Sequence, residues 1–435
     1  MEIIKYPAIN EIAKLLSRPA GNIKATTRDI EWIMTGVQQG GDAAIKKYTK
    51  LFENVSQETF CVQEHEWAAI SEMSAALKDA IDLAYQNIYT FHKAQLEAEK
   101  IVETMPGIAC WRKSVPIQKV GLYIPGGSAP LFSTLLMLGI PALIAGCKEI
   151  VVCSPAGKDG LLHPAMLYVA QKLGINKIYK IGGAQAIAAM AYGTETVSRV
   201  DKIFGPGNRY VTAAKAYAQA DGIAIDMPAG PSEVLIIADN TANPEFVAAD
   251  LLAQAEHGPD SQVLLVTDSE SLLEAVKAAI GQQIADLPRR ELVQQSLAYC
   301  KMILVENLAD AMAISNLYAP EHLIINTADA QGLAAEVVNA GSVFLGNYSP
   351  ESVGDYASGT NHTLPTGGFA TAFSGVSLDS FFKKITFQEI TADGLKSIGQ
   401  CVTTMAMAEG LQAHAQSVAV RLASLSNKNQ DNGFE

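Results

Sequence analysis

Strand–helix alternation begins at Val120 and starts again at Glu233. Two such runs in one chain predict an α/β protein: two doubly wound, Rossmann-like parallel-sheet domains, with a small N-terminal helical segment and a C-terminal helical domain. Two further observations support the class. The chain has 435 residues and is 49% hydrophobic, enough for more than one core. Glycine-rich turns also recur where the apolar strands end.

The elements follow in order. The opening MEIIKYPAINEIAKLL is amphipathic and carries acids, so it reads as a helical segment and not as a secretory signal. The first hundred or so residues read as helices, with Trp67 to Ala98 a long one on helical apolar spacing. From Val120, GLYIP leads to STLLMLGIPALIAG, EIVVCSP to HPAMLYVAQKLG, KIYKIGG to AQAIAAMAYG, and KIFGPG to NRYVTAAKAYAQA. The second run contains EVLIIAD, QVLLVTD, MILVEN, HLIINT and SVFLG. No sequence repeat links the two runs. Asp226 to Pro231 is the candidate crossing between them. After about Gly375 the strands are expected to stop, Ile390 to Leu425 to be helical, and SNKNQDNGFE to be a polar tail.

Composition excludes several functions. The net charge is −13 with 18% charged residues, and no basic cluster occurs, so neither nucleic acid nor anionic membrane is an expected partner. No stretch of about 18 apolar residues runs uninterrupted, so no membrane span is expected. The six cysteines lack CxxC spacing and read as reduced thiols of a cytoplasmic protein. Cys153 closes a strand, either as a reactive thiol or as simple packing.

Ligands of open parallel sheets collect at the carboxyl ends of strands. Four glycine turns are assigned to such ends: Tyr123 to Gly127, Ile181 to Gln185, Gly205 to Asn208 and Ala229 to Ser232. Helices starting after Gly183 and Gly207 would aim free N–H groups at an anion such as pyrophosphate. No GxGxxG is present, so a nucleotide site and ordinary tight turns both remain open.

Ala248 to Gly258, AADLLAQAEHG, is a helix with Asn243 as N-cap, Pro244 first and Gly258-Pro259 as its stop. Gln254 and His257 share its last turn, where the helix dipole favours a cation. The alternative is a capped helix with a polar end. Of seven histidines, His65, His92 and His163 read as surface or packing residues. His257, His322, His362 and His414 each sit beside carboxylates or glycine punctuation. Gln, His, Asp and His from these segments form an oxygen and nitrogen donor set suited to zinc or another borderline divalent ion. Glu321-His322 suits acid–base work near neutral pH. Adjacent residues on extended chain point opposite ways, so both reach one substrate only if the backbone bends, for which Pro320 is placed.

The order and spacing of GLYIPGGSAPLFSTLLM, GGAQAIAAMAYGT, DKIFGPGNRYV, IDMPAGPSEVLIIAD, AADLLAQAEHG, YAPEHL, AGSVFLGNYSPESVGDYASGTNHTLPT and EGLQAH carry a resemblance. From about Lys24 to about Arg421 the chain resembles the histidinol dehydrogenase family. The resemblance implies oxidation of L-histidinol to L-histidine through bound L-histidinal, in two NAD-dependent steps that end histidine biosynthesis. It implies one zinc per subunit on Gln254, His257, Asp355 and His414, the last from the partner chain of a homodimer with shared active sites. It implies Glu321 and His322 as the acid–base pair. Ser232, His362 and Glu409 would hold substrate together with His322 and the zinc ligands, and Glu409 again crosses the interface. Tyr123, Gln185 and Asn208 would contact NAD. Nothing carries over to PTGGFATAFSG, and Glu256 has no assigned role. The implied organisation is an N-terminal helical arm (1–23), a first α/β domain with the zinc and acid–base residues (24–122 and 233–376), a second on the NAD side (123–232), and a C-terminal helical dimerisation domain with tail (377–435). The rival readings are an α/β binding protein without catalysis and a dehydrogenase for another amino alcohol or a sulfonated diol.

Overall fold

The computed structural model describes residues 1–18, 23–56, 59–126, 130–228 and 230–431. The chain opens with β1 (Glu2–Lys5), α1 (Ile9–Leu15) and α2 (Ile23–Glu53), which breaks at Gly41. Then come α3 (Ala75–Lys93), β2 (Val102–Met105) and β3 (Ile108–Pro116). The first alternation is β4 (Lys119–Tyr123), α4 (Phe132–Ala145), β5 (Glu149–Ser154), α5 (Pro164–Lys172), β6 (Lys177–Lys180), α6 (Gly183–Tyr192), β7 (Lys202–Phe204), α7 (Arg209–Ala220) and β8 (Ala224–Ile225). The second is β9 (Glu233–Ala238), α8 (Pro244–Ala255), β10 (Gln262–Thr267), α9 (Glu270–Gln283), α10 (Arg290–Leu297), β11 (Lys301–Leu304), α11 (Leu308–Tyr318), β12 (His322–Asn326), α12 (Ala330–Ala334), β13 (Ser342–Leu345) and α13 (Glu351–Tyr356). The chain closes with β14 (Phe382–Ile390), α14 (Ala392–Ala408) and α15 (Gln412–Asp431).

The predicted α/β class holds. One parallel sheet has the order β6-β5-β4-β7-β8, and the other β1-β11-β10-β9-β12-β13. Counted from each sheet's first strand of the alternation, both read third, second, first, fourth, fifth. The second sheet adds β1 beside β11. The two runs therefore share one topology without a sequence repeat. The central strands β9, β10 and β12 of the larger sheet are buried along their whole length because both faces are covered, whereas the edge strands β1 and β13 are partly exposed. Val234, Ile236 and Leu265 pack under α8 and α9, while Leu235, Ile237 and Leu264 pack against α1 and α11.

The structure corrects several boundaries. The expected N-terminal helical segment is preceded by β1, whose register with β11 (Glu2↔Lys301) makes it a sheet edge. Trp67 to Ala98 is not one helix: a 3₁₀ turn spans Glu64–Glu72, and Ser74 caps a separate α3 by accepting from Leu77 N–H. The α2 residues Ile30, Met34 and Val37 pack with Ala184 and Ala188 of α6 and Val211 of α7. Residues 24–53 thus belong to the five-stranded sheet's core and not to the domain predicted for them. A boundary at 123 also cuts through β4.

Both parallel sheets lie in one compact unit, residues 1–95 and 117–381. A second unit, 96–116 with 382–435, contains the C-terminal helices α14 and α15 and adds a three-stranded sheet to the helical domain expected from 377. There β14 pairs antiparallel with β3 and β3 with β2, and Trp111 stacks on Phe387 across the pair at 5.4 Å. Strands therefore continue after Gly375. The bare Gly399 on α14 lets Leu422 and Val418 of α15 come close.

Gly205 closes β7 with φ +125°, where a Cβ would collide with the Tyr123 carbonyl. Its N–H donates to Asp226 Oδ2 at 2.7 Å, and its carbonyl accepts from the buried Lys215 Nζ at 2.9 Å. Gly205→Ala should lower the unfolding free energy by about 1–3 kcal/mol. An unchanged midpoint in denaturant titration would show that the β4–β7 approach tolerates a side chain.

Candidate active site and cofactor cavity

A cavity of about 990 Å³ opens at the carboxyl ends of the five-stranded sheet. Tyr123 at the end of β4, Ser154 at the end of β5, Gly182 after β6 and Asn208 after β7 line it. Its volume is at the upper end for a cofactor site, and it lies where the strand order reverses. Tyr123, Gln185 and Asn208, which the resemblance implies as NAD contacts, all line it.

Their local geometry differs from a bare phosphate cradle. Gly183 N–H donates to the Tyr123 hydroxyl at 3.1 Å. Gly182 N–H and Gln185 Nε2 donate to Glu53 Oε1 at 3.2 and 2.9 Å. Asn208 Oδ1 caps α7 by accepting from Tyr210 and Val211 N–H at 3.0 and 3.1 Å. At α7 the helix start expected to offer free N–H groups is thus capped by Asn208, whereas α6 has no side-chain cap and only its Gly182 and Gly183 N–H groups are engaged. What Asn208 can offer a cofactor is its amide nitrogen. Glu53, unforeseen from the sequence, is held above the usual carboxylate range by burial. Gly127 and Ala229 of the predicted turns lie outside the described residues, and the last turn leads into the amino end of β9. Cys153 is fully buried and its thiol pKa is pushed up by burial, so it packs and does not react.

The second cluster sits at the amino ends of β9 and β12. In a βαβ unit the helix runs antiparallel to its strands, so the C-terminus of α8 returns to the strands' starts. Asn243 and Pro244 begin α8 as predicted, with Asn243 Oδ1 accepting from Glu245 N–H at 2.9 Å. Gln254 is fully buried, and His257 lies exposed just past the helix end. With its amide nitrogen toward Glu351, Gln254 donates to that carboxylate at 2.8 Å and accepts from Glu233 N–H at 2.8 Å.

Glu321 and His322 converge despite being adjacent. Ala319 adopts φ +51° before Pro320, and this turns the chain into β12. Glu233 N–H donates to Glu321 Oε2 at 2.8 Å, while His322 Nδ1 faces the Glu233 carbonyl at 3.2 Å. The carbonyl only accepts, so Nδ1 carries the proton and Nε2 is the basic nitrogen. His322 Nε2 and Asp355 Oδ1 stand 3.4 Å apart, both buried and without a hydrogen-bond partner.

Electrostatics marks the same spot. Burial opposes a charged His322 ring, yet Glu321 and Asp355 outweigh it and push its pKa up. Burial pushes Glu321 up to about 8 and raises Glu351 well above its ordinary value. Desolvation opposes ionisation of Asp355, but the His322 ring wins and lowers it. Desolvation lowers the His257 pKa, with Asp355 opposing the shift. Excess buried carboxylate is a setting that a bound cation relieves.

Ser232 immediately precedes β9. His362 bonds through Nδ1 to the Asp355 carbonyl at 2.8 Å and through Nε2 to Thr134 Oγ1 at 3.1 Å. It therefore ties the loop after α13 to α4. Glu409 and His414 are exposed in the second unit, at the end of α14 and the start of α15. Among the described residues no three His, Cys, Asp or Glu side chains converge as a metal site. The predicted donors within one chain include only two of those types, His257 and Asp355. Glu351, Glu233 and Arg18, central to this cluster, gave no sequence signal beyond a carboxylate in a first helical turn.

A profile of the histidinol dehydrogenase family matches residues 16–422. Histidinol dehydrogenase of Bacteroides thetaiotaomicron is 55% identical over 426 residues, 98% of this chain and 100% of that one. The Photobacterium profundum protein of the same name is 53% identical, covering 96% and 94%. The crystal structure of histidinol dehydrogenase from Elizabethkingia anophelis superposes with a TM-score of 0.94 at 51% identity, covering 98% of this chain and 99% of that one. With profile, relatives and architecture in agreement over nearly its whole length, the chain belongs to the histidinol dehydrogenase family, NAD-using oxidoreductases of the last step of histidine biosynthesis.

Proposed function

We propose that the chain oxidises L-histidinol to L-histidine through bound L-histidinal, using two NAD per turnover and one zinc per subunit, with Glu321 and His322 as acid and base. The observation that carries this reading is the His322 ring: Nδ1 is tied to a carbonyl, and the buried Nε2 lacks a hydrogen-bond partner. A base needs that tautomer and that vacancy for a substrate proton.

The residues fit a zinc ion. Asp355 Oδ1 is a buried acceptor without a hydrogen-bond partner, and Gln254 and His257 lie at the negative end of α8. Gln254, His257 and Asp355 would hold the metal with His414 of the partner subunit. A zinc ion held there would supply Lewis-acid anchoring of histidinol, and NAD held in the carboxyl-end cavity would supply the hydride acceptor. His322 Nε2 takes the carbinol proton. Glu321, raised toward neutrality by burial, exchanges a proton with the water that attacks the aldehyde. Ser232, His362 and Glu409 of the partner subunit orient the substrate. Tyr123, Gln185 and Asn208 hold NAD. A homodimer with shared sites accounts for the exposure of Glu409 and His414 in one chain. A cytoplasmic setting suits six cysteines without disulfides. No helix among the described residues is long and apolar enough to cross a membrane.

His322→Asn should lower kcat for histidinol by about 10²–10⁴-fold with little change in histidinol KM. A raised KM at unchanged kcat would overturn the base assignment. Glu321→Gln should spare oxidation of histidinol to histidinal relative to oxidation of histidinal. Equal loss in both steps would argue against its role on water.

Dialysis against a chelator should abolish activity, and zinc should restore it with one ion per subunit by metal analysis. Asp355→Asn and His414→Asn chains should each be inactive. Mixed and reassociated, they should regain roughly a quarter of wild-type activity, because half the dimers then carry one intact site. No regain would contradict a site shared between subunits.

A further inference from the structure

One guanidinium bridges the segment that carries the acid–base pair and the segment that holds it. Arg18 Nε and Nη2 donate to Glu233 Oε1 and Oε2 at 2.5 and 2.9 Å. Nη2 also donates to the Tyr318 carbonyl at 2.7 Å, and the guanidinium stacks on the Tyr318 ring at 3.9 Å. Gly367 N–H supplies a further bond to Glu233 Oε1 at 3.0 Å. Tyr318 is anchored in turn by its hydroxyl, which donates to Gln262 Oε1 at 3.0 Å.

The backbone of Glu233 holds Glu321 through its N–H and His322 through its carbonyl. Tyr318 carries the strained Ala319 and then Pro320, Glu321 and His322. A shift of the Glu233 peptide, or of the Tyr318 turn, moves both side chains together. The planar fork of arginine fixes a carboxylate bidentately and stacks on an aromatic ring, which an ammonium cannot do at once.

We propose that Arg18, from the segment ahead of α2, is a positioning residue that sets the Glu321–His322 pair through Glu233 and Tyr318. The assignment rests on the acid–base reading of that pair. Arg18 reaches neither substrate nor cofactor in this role. It holds the peptide on which both catalytic side chains hang.

The test uses the full-length, zinc-loaded enzyme with histidinol and NAD. Arg18→Ala should lower kcat by about 100-fold, the scale of a misplacement near 1 Å, with the KM of both substrates within about threefold. Arg18→Lys, which keeps the charge, should fold with a wild-type melting temperature and still lose about tenfold in kcat. Added methylguanidinium should raise the kcat of Arg18→Ala and leave wild type unchanged. On a His322→Asn background Arg18→Ala should cost less than about threefold more, since it acts through that ring. Arg18→Lys with full turnover beside an inactive His322→Asn would overturn the Arg18 assignment alone. His322→Asn with full turnover would remove the acid–base reading itself. A full multiplicative loss in the double variant would show that Arg18 acts elsewhere and overturn the proposal.

Discussion

The parallel pairing of β9 with β12 is the constraint on which the site depends. Its register sets His322 opposite Val234 and brings the Glu233 carbonyl to the imidazole. The pairing is enforced from both faces, by Ile236 and Ile324 in one core and by Leu235 and Leu323 in the other. A one-residue slip would exchange the two faces and send His322 away from Glu233. The position of a catalytic nitrogen is therefore fixed by the burial of residues that take no part in the chemistry.

Two sheets of one topology serve two different ends. The five-stranded sheet offers its carboxyl edge, where Asn208 caps α7 and a cavity of about 990 Å³ opens. The six-stranded sheet offers its amino edge, to which α8 returns with its negative end. There Glu321, Glu351 and Asp355 gather around one histidine, and Glu233 is already matched by Arg18. The first edge offers a large cavity for a cofactor, and the second suits a cation. His362 joins the two through Thr134 and the Asp355 carbonyl.

Much of this was legible in the sequence because the parallel strands are apolar on both faces. EVLIIA and QVLLVT declare themselves as buried strands, and Asn243-Pro244 declares a helix start. β14, FKKITFQEI, did not: it is mostly exposed, charged, and paired with β3 from far earlier in the chain, so no hairpin turn announces it. β1 is a four-residue edge whose partner is β11. The α2 helix was read as helical, but only packing shows which sheet it covers. At the site, Gln254, His257, Glu321 and His322 stood out by residue type. Glu233 acts through its peptide, Arg18 through Glu233, and Glu351 by burial, and no residue type in a string encodes those roles.

Anomalous diffraction at the zinc edge, on crystals grown with zinc and histidinol, would locate the metal relative to His322 and the amino ends of β9 and β12. One strong peak per subunit is expected, bonded to Gln254, His257 and Asp355 together with His414 of the partner subunit, with His322 Nε2 at the substrate hydroxyl. A peak away from the amino ends of β9 and β12, or His322 Nε2 turned from the substrate, would contradict it.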